Sequence, residues 1–202
     1  MDGLPEGDRK RDATIDITYE AARTEPVAAL KLASALPSTP ERDALLTHAV
    51  SQWAKSDSPT AALWAMKVPD PALRQRLVAS VAVVMAERGG DSAVTLAMNG
   101  LAAVEDQDRA VVAIVQRWVQ HSPQAAAAWV AQFPDVPSRD ATVQNLLALW
   151  ITQDAVAAGD WLRDLPAGSL RDAGKDAYAQ AMASASQTPA AVPAGEYAWN
   201  GP

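Results

Sequence analysis

The side chains that could support catalysis or bind a metal are few in this sequence. There is no cysteine, and the two histidines, His48 and His121, have no second histidine or cysteine at a ligand spacing. A zinc site needs about four such groups, so the histidines do not predict one. Gly89-Gly90 is not followed by Lys-Ser or Lys-Thr and so does not match a phosphate-binding loop. We therefore expect no metal, no cofactor and no disulfide or thiolate chemistry.

Two pairs of closely spaced aspartates are the remaining candidates for acid–base chemistry. They are Asp106 with Asp108, and Asp160 with Asp164. A general acid needs a buried pocket, and nothing in the surrounding sequence implies one. Solvated carboxylates on a helix surface account for both pairs. We assign no catalytic residue and predict that the protein is not an enzyme.

Large residues recur at a fixed spacing, and this pattern indicates how the chain folds, not which reaction it could catalyse. Three tryptophan pairs are each separated by eleven residues, with a proline five residues after the second tryptophan and an arginine five residues after the proline: Trp53, Trp64, Pro69 and Arg74; Trp118, Trp129, Pro134 and Arg139; Trp150, Trp161, Pro166 and Arg171. Pro37 with Arg42, and Val104 with Arg109, extend the register to five units. Steps of eleven, five, five and eleven residues make an ideal period of 32. Such self-similarity is typical of repeat proteins.

The capping residues and prolines of each unit predict two helices. Ser58-Pro59 and Ser122-Pro123 have the pattern of an N-cap followed by proline at the first helical position, and Thr39-Pro40 and Asp70-Pro71 open the second helix in the same way. The first helix stops at steps such as Val68-Pro69, because the residue before proline is pushed out of the α region. Along the second helices apolar residues recur at three and four, as in Leu45, Leu46, Ala49, Val50 and Trp53, or Leu146, Leu147, Trp150 and Ile151. The prediction is an all-α, right-handed solenoid of about five antiparallel helix pairs.

The two ends and one joint depart from the pattern. Residues 1–13 are charged and are predicted as a disordered N-terminus, residues 14–186 as the helical-repeat domain, and residues 187–202 as an extended C-terminal tail. Thr188-Pro189 resembles the start of a sixth unit that Pro193 and Gly195 end. At Gly89-Gly90 the register is longer by about three residues, and we expect a loop or a looser joint there.

Three sets of residues remain candidates for binding. The tryptophans could form a stacking groove, or be the large core residues against which small alanines pack. The arginines at 42, 74, 109, 139 and 171 could bind anions, or be structural and pair with Asp57, Asp91, Asp154 or a buried turn carbonyl. Tyr197 and Trp199 could dock into the last groove or anchor a partner.

Charge and hydropathy limit the partners and the compartment. The net charge is −7 and the isoelectric point is about 4.8, so nucleic acid is not expected to bind. The longest apolar stretches, such as Leu77 to Ala86, are too short to span a bilayer, and no membrane insertion is expected. Met1 to Arg11 contains no apolar signal segment. We predict a cytoplasmic protein, with a periplasmic one, after removal of a signal not present in this chain, as the alternative.

The units resemble the tetratricopeptide-like α-solenoids, although the Trp-x2-Leu-Gly-x2-Tyr core of the tetratricopeptide repeat is absent. They are more similar to bacterial helical repeats of the type Trp-x3-Asp-x3-Ala-x2-Trp-x3-Leu-Pro, which Trp150, Asp154, Ala158, Trp161, Leu165 and Pro166 fit fully. The unit from Trp53 to Pro69 fits with Val68 in place of leucine. The resemblance covers about residues 25–186 and implies a solenoid fold and a general role in protein interaction.

These features favour a non-catalytic protein-binding scaffold or an accessory subunit of a larger assembly. Binding to another protein would use a concave face, which we expect the first helices of the units to build. An enzyme or ligand carrier on a helical scaffold is the alternative, and it would need a deep pocket with convergent polar groups. A third possibility is a domain of a longer or membrane-tethered protein, which the incomplete sixth unit suggests.

Overall fold

The regular secondary structure in the described part of the chain consists of α-helices. A computed structural model describes the backbone of residues 6–132 and 137–187, and the side chains of residues 13–132 and 139–184. Nine α-helices and no strand occur within these ranges. The all-α prediction is therefore confirmed for the residues that the structure describes. The chain divides into two compact units on either side of the Gln132–Phe133 bond, whereas the sequence predicted one repeat domain.

Seven helices belong to the first unit and two to the second. The first unit contains α1 (Glu6–Thr24), α2 (Pro26–Ser34), α3 (Pro40–Ala65), α4 (Pro71–Met85), α5 (Gly90–Gly100), α6 (Val104–Val119) and α7 (Pro123–Val130). The second contains α8 (Pro137–Asp164) and α9 (Ser169–Gln187). Consecutive helices contact each other within each unit, and α1 also contacts α3 while α4 contacts α6.

The cap-plus-proline signals fix the starts of α3 and α4. The Thr39 hydroxyl accepts a hydrogen bond from the Arg42 amide at 3.2 Å, and α3 begins at Pro40. One carboxylate oxygen of Asp70 accepts from the amides of Ala72 and Leu73 at 2.9 and 3.2 Å. These bonds satisfy amides that have no partner inside the helix. Both predicted starts are confirmed.

Two long helices, α3 and α8, are each interrupted by a single extended residue. Asp57 (φ −142°, ψ 78°) interrupts α3, and Asp154 (φ −155°, ψ 90°) interrupts α8. The predicted cap at Ser58 is one residue late: the Asp57 carboxylate accepts from the Thr60 amide at 3.2 Å, while the buried Ser58 hydroxyl donates to the Ala54 carbonyl at 2.5 Å. The carboxylate can reach over the new helix start, whereas the serine is already inside it.

The N-terminal helix differs from the prediction of a disordered segment over residues 1–13. α1 begins at Glu6, so residues 6–13 are helical. A polar stretch can continue a helix when the following turns are packed, and here Thr18 and Ala22 are buried. The other end was predicted as an extended tail from residue 187, but α9 still includes Gln187. The rest of both predicted ends, residues 1–5 and 188–202, lies outside the described residues.

The core consists of the apolar stripes that the sequence predicts. Leu45, Leu46, Ala49 and Val50 are buried in the first unit, and the stripe from Leu146 to Ile151 is buried in the second. Leu77, Val78 and Val81 continue the core along α4, and Ile114 and Val115 along α6. The periodicity of three and four therefore identifies most of the buried face of α3 and of α8, although Trp53, the last residue of the predicted stripe in α3, is only half-buried.

The Gly89-Gly90 joint is closely packed at its second glycine. α4 and α5 are separated by residues 86–89, so the predicted loop exists. A Cβ atom added to Gly90 would lie 1.8 Å from Cε3 of Trp118. The absence of a side chain lets the indole ring rest on the first turn of α5. This contact differs from the loosening that the sequence suggested.

Candidate functional site

A groove of about 660 Å³ crosses three helices of the first unit. Its walls come mainly from α3, α4 and α6, which contain Arg42, Arg74 and Arg109 near their starts and which the sequence predicted as second helices. Small and apolar side chains form most of its surface: Ala72, Ala79, Val83, Leu101, Ala110 and Ala113. The polar side chains that line it are Thr47, Gln75, Arg76, Ser80, Asp106 and Arg109. We call it the α3–α4–α6 groove.

Two ion pairs stand at this groove, and in both the guanidinium is more exposed than the carboxylate. Arg76 donates to Asp43 of α3 at 2.5 Å, with side-chain exposures of 56% and 16%. Arg109 donates to Asp106 three residues before it, with exposures of 78% and 25%. The guanidiniums are therefore the more accessible charges at this groove, although each is paired with a carboxylate and the chain carries a net charge of −7.

A smaller cavity of about 400 Å³ adjoins the groove and shares Thr47 and Arg76 with it. His48 lines this cavity, and its ring lies 4.8 Å from that of Tyr19 on α1, measured between centroids. Burial lowers the pKa of His48, and repulsion by Lys55 lowers it further. The imidazole is therefore biased toward its neutral form, which suits packing against an aromatic ring.

The tryptophans are divided between core and surface. Trp118 and Trp150, the first members of their pairs, are buried, whereas Trp53, Trp64, Trp129 and Trp161 are half-buried. Trp118 contacts Trp129, and Trp150 contacts Trp161, with ring centroids 6.2 and 6.0 Å apart in tilted geometry. Eleven residues across a joint thus bring the two rings of a pair together.

The first tryptophan pair also borders open space. Trp53 and Trp64 line a cavity of about 370 Å³ with Val27, Leu30, Lys31 and Ser34. Trp118 and Trp150 are therefore core residues, as one of the two interpretations predicted. Trp53 and Trp64 border open space, so the interpretation as a groove still applies to them.

The arginines that the sequence places in one register have different partners. Arg42 bonds Asp43 and the Ser38 hydroxyl, and Arg74 donates to the turn carbonyl of Val68 at 3.0 Å. Arg109 lies at the groove, while Arg139 is buried and donates to the Ser169 hydroxyl at 2.9 Å. For Arg74 the predicted turn carbonyl is the partner. Asp57 and Asp154 instead accept from the amides of Thr60 and Ala157 at the helix joints.

The other candidate residues have separate local surroundings. His121 is exposed, with Nδ1 3.1 Å from the Arg117 carbonyl. Asp160 pairs with Arg163 at 2.5 Å, and Asp164 is exposed at the end of α8. Among the described residues no group of three or more histidine, cysteine, aspartate or glutamate side chains could hold a metal ion. Tyr197 and Trp199 lie outside the described residues, as does Pro134.

Comparison with known proteins adds no relative to this description. No family model, no curated protein and no solved structure matches the chain. Within the described ranges no helix has both the length and the apolar character needed to cross a membrane.

The sequence predicted a binding face on the first helices, which stays a prediction, and it gave no prediction of the α3–α4–α6 groove. A signal for it is present in α4. Leu73, Leu77 and Val81 form its buried stripe, while Ala72 and Ala79 place further apolar surface outside that stripe. A helix that is apolar on two faces has a second surface to cover. Arg76 was also missed because it lies outside the arginine register.

Proposed function

We propose that this protein is a non-catalytic protein-binding module, a scaffold or accessory subunit that receives a partner in the α3–α4–α6 groove. The observation that carries the proposal is the groove itself: apolar side chains on neighbouring helices, several of them only half-buried, bordered by exposed arginines. Protein interfaces typically combine an apolar centre with a polar rim in which arginine is enriched.

The architecture that we propose is a right-handed helical-repeat solenoid of the tetratricopeptide-like type. Its support is the spacing of the joints, where the extended residues or N-caps are Glu25, Asp57, Gly89, Ser122 and Asp154. The steps from 25 to 57, 57 to 89, 89 to 122 and 122 to 154 are 32, 32, 33 and 32 residues. Repeats of this kind expose extended surfaces, because each unit contacts only its neighbours.

The chemistry of the groove favours a protein partner over a substrate or a small ligand. Its carboxylate Asp106 is paired with an arginine of the same chain, and Ser80 is 2.5 Å from the Ser51 hydroxyl in a hydrogen bond between α3 and α4. Both groups are therefore engaged within the chain, whereas a catalytic or ligand-orienting site needs polar groups that are directed at the ligand.

The test is to fill the groove and ask whether a partner is lost. Ala79→Trp places an indole in the groove, and Ala148→Trp, at an exposed position of α8, is the matched control. Tagged wild-type and variant chains are purified from the native host, and their co-purifying proteins are quantified by mass spectrometry.

We expect a protein that accompanies the wild type and the Ala148→Trp chain to be lost from Ala79→Trp. Circular dichroism establishes that each variant is folded, and Ala72→Trp, at an exposed position that lines the groove, replaces Ala79→Trp if that chain is unstable. Recovery of the wild-type chain alone, at monomer mass, would contradict the proposed function.

A further inference from the structure

Resting on this proposed function, we propose that the occupant of the α3–α4–α6 groove is an amphipathic helix of a partner protein. Its apolar side chains enter the groove, and its carboxylates pair with Arg76 and Arg109. The first part of the inference comes from the shape of the groove, and the second from its charge.

The shape favours a helix of about three turns. α4 lines the groove from Ala72 to Val83, a distance of about 16 Å at 1.5 Å per residue. α6 lines it from Asp106 to Ala113 and contacts α4. Two adjacent helices with small side chains leave a depression between them into which the ridge of a third helix can pack.

An extended peptide fits these walls less well. The backbone groups of α4 and α6 are engaged in their own helical hydrogen bonds, so they offer no row of donors and acceptors to a strand. Peptides that bind as strands add to an exposed sheet edge, and the described residues contain no sheet. A helix satisfies its own backbone and needs only side-chain contacts.

The charge favours carboxylates on that helix. Among the described side chains, Arg76 donates only to Asp43, and Arg109 only to Asp106, each through a single terminal nitrogen. A guanidinium has five N–H donors, so most donors of both arginines can still meet a partner's carboxylate, including in the bidentate geometry. Asp43 and Asp106 are the less exposed members of their pairs, so a cationic helix would meet the guanidiniums first.

The net charge of −7 helps to distinguish a local preference for carboxylates from general electrostatic attraction. An acidic peptide has no general attraction to this chain, so a preference for carboxylates can come only from a local positive site. The probe is a phage-displayed library of helical peptides with randomised surface positions. It is selected on the full wild-type chain and counter-selected on the folded groove-filled variant, Ala79→Trp or Ala72→Trp.

We expect the recovered peptides to carry an apolar stripe flanked by aspartate or glutamate. The affinity of a recovered peptide for the wild-type chain is then compared, by fluorescence anisotropy, with its affinity for the double variant Arg76→Gln/Arg109→Gln. The matched control is Arg163→Gln, which removes another exposed arginine paired with an aspartate three residues before it, far along the sequence in the second unit. The double variant should bind at least about tenfold more weakly and the control equally well.

The outcomes separate the two proposals. Groove-dependent peptides with neutral or basic flanks, or with unchanged affinity for the double variant, would overturn the inference and leave the groove as a protein-binding site. Recovery of no groove-dependent peptide would overturn the inference and count against the proposed function as well. Recovered peptides that bind the groove without helical circular dichroism would contradict the helical part.

Discussion

The contact between Gly90 and Trp118 predicts a large effect from a small substitution. A Cβ atom at Gly90 would lie 1.8 Å from Cε3 of the indole and 2.2 Å from Cδ2 and Cζ3. The neighbouring Gly89 has nothing within 4 Å of the same position. Gly90→Ser and Gly89→Ser therefore add the same atoms at adjacent residues, one into the core and one into open space.

The magnitude follows from how far the indole would have to move. Ordinary contact for a Cβ begins at 3.4 Å, so the ring or the helix would have to shift by about 1.6 Å, the difference from 1.8 Å. Trp118 is only 8% exposed and already contacts Trp129, which leaves little space for such a movement. Overpacking of this kind destabilises a protein by about 1–3 kcal/mol, and the higher helix propensity of serine compared with glycine offsets about 0.5 kcal/mol of this. We expect Gly90→Ser to lower the free energy of unfolding by about 2 kcal/mol, or the Tm by about 4–8 °C.

The assay is urea denaturation followed by circular dichroism. Gly89→Ser should be neutral or slightly stabilising, because Gly89 is the N-cap of α5 and serine is a preferred N-cap residue. In a Trp118→Leu background the cost of Gly90→Ser should fall below about 0.5 kcal/mol, since the clashing ring is gone. Equal stability of the two serine variants would refute the packing argument, and so would a cost that persists without the indole.

Three further predictions concern the core, a joint and pH. Trp150 is 1% exposed, so Trp150→Ala should lower the free energy of unfolding by about 3–5 kcal/mol. Trp161→Ala, at a half-buried position, should lower it clearly less, and urea titrations of both variants measure the difference. Asp154→Ala removes the acceptor for the Ala157 amide at the joint within α8 and should cost about 1 kcal/mol in the same assay, with Asp154→Asn retaining most of the stability. Burial, and then Lys55, lower the pKa of His48 in the folded state, so the unfolded chain takes up the proton more readily. Stability from this group is complete above the unfolded pKa of about 6.5 and falls as the pH drops toward the folded pKa. Thermal melts between about pH 7 and pH 5 should therefore show a smaller loss of Tm for His48→Gln than for the wild type, and parallel curves would contradict this assignment.

Local signals in the sequence predicted the helix starts well and the joints nearly as well. Thr39-Pro40 and Asp70-Pro71 act within one turn, through a side-chain acceptor and a fixed φ, and helices begin there. At Ser58-Pro59 the N-cap is one residue earlier than predicted, because the longer side chain of Asp57 accepts the hydrogen bond from the Thr60 amide. Both outcomes depend on atoms that are close along the chain.

The candidate site was predicted much less well. The groove depends on which surface of α4 remains open after α3 and α6 have packed against it, and no residue of α4 encodes that alone. Arg76 becomes part of the site through Asp43, which lies 33 residues before it. The separation of the tryptophans into buried and half-buried members has the same origin, since all of them share one spacing and one residue type.

The sequence by itself determined that the described part of this chain is helical, where α3, α4 and α7 begin, and which stripes of α3 and α8 are mostly buried. These properties follow from caps, prolines and a periodicity of three and four, all of which act within a few residues. Only the tertiary structure decided that Gly90 holds the Trp118 ring, that Trp53 and Trp64 border a cavity, and that the second helices carry the groove. The physical reason is that exposure is a property of what packs on a surface, and the groups that pack here are about thirty residues apart in the chain.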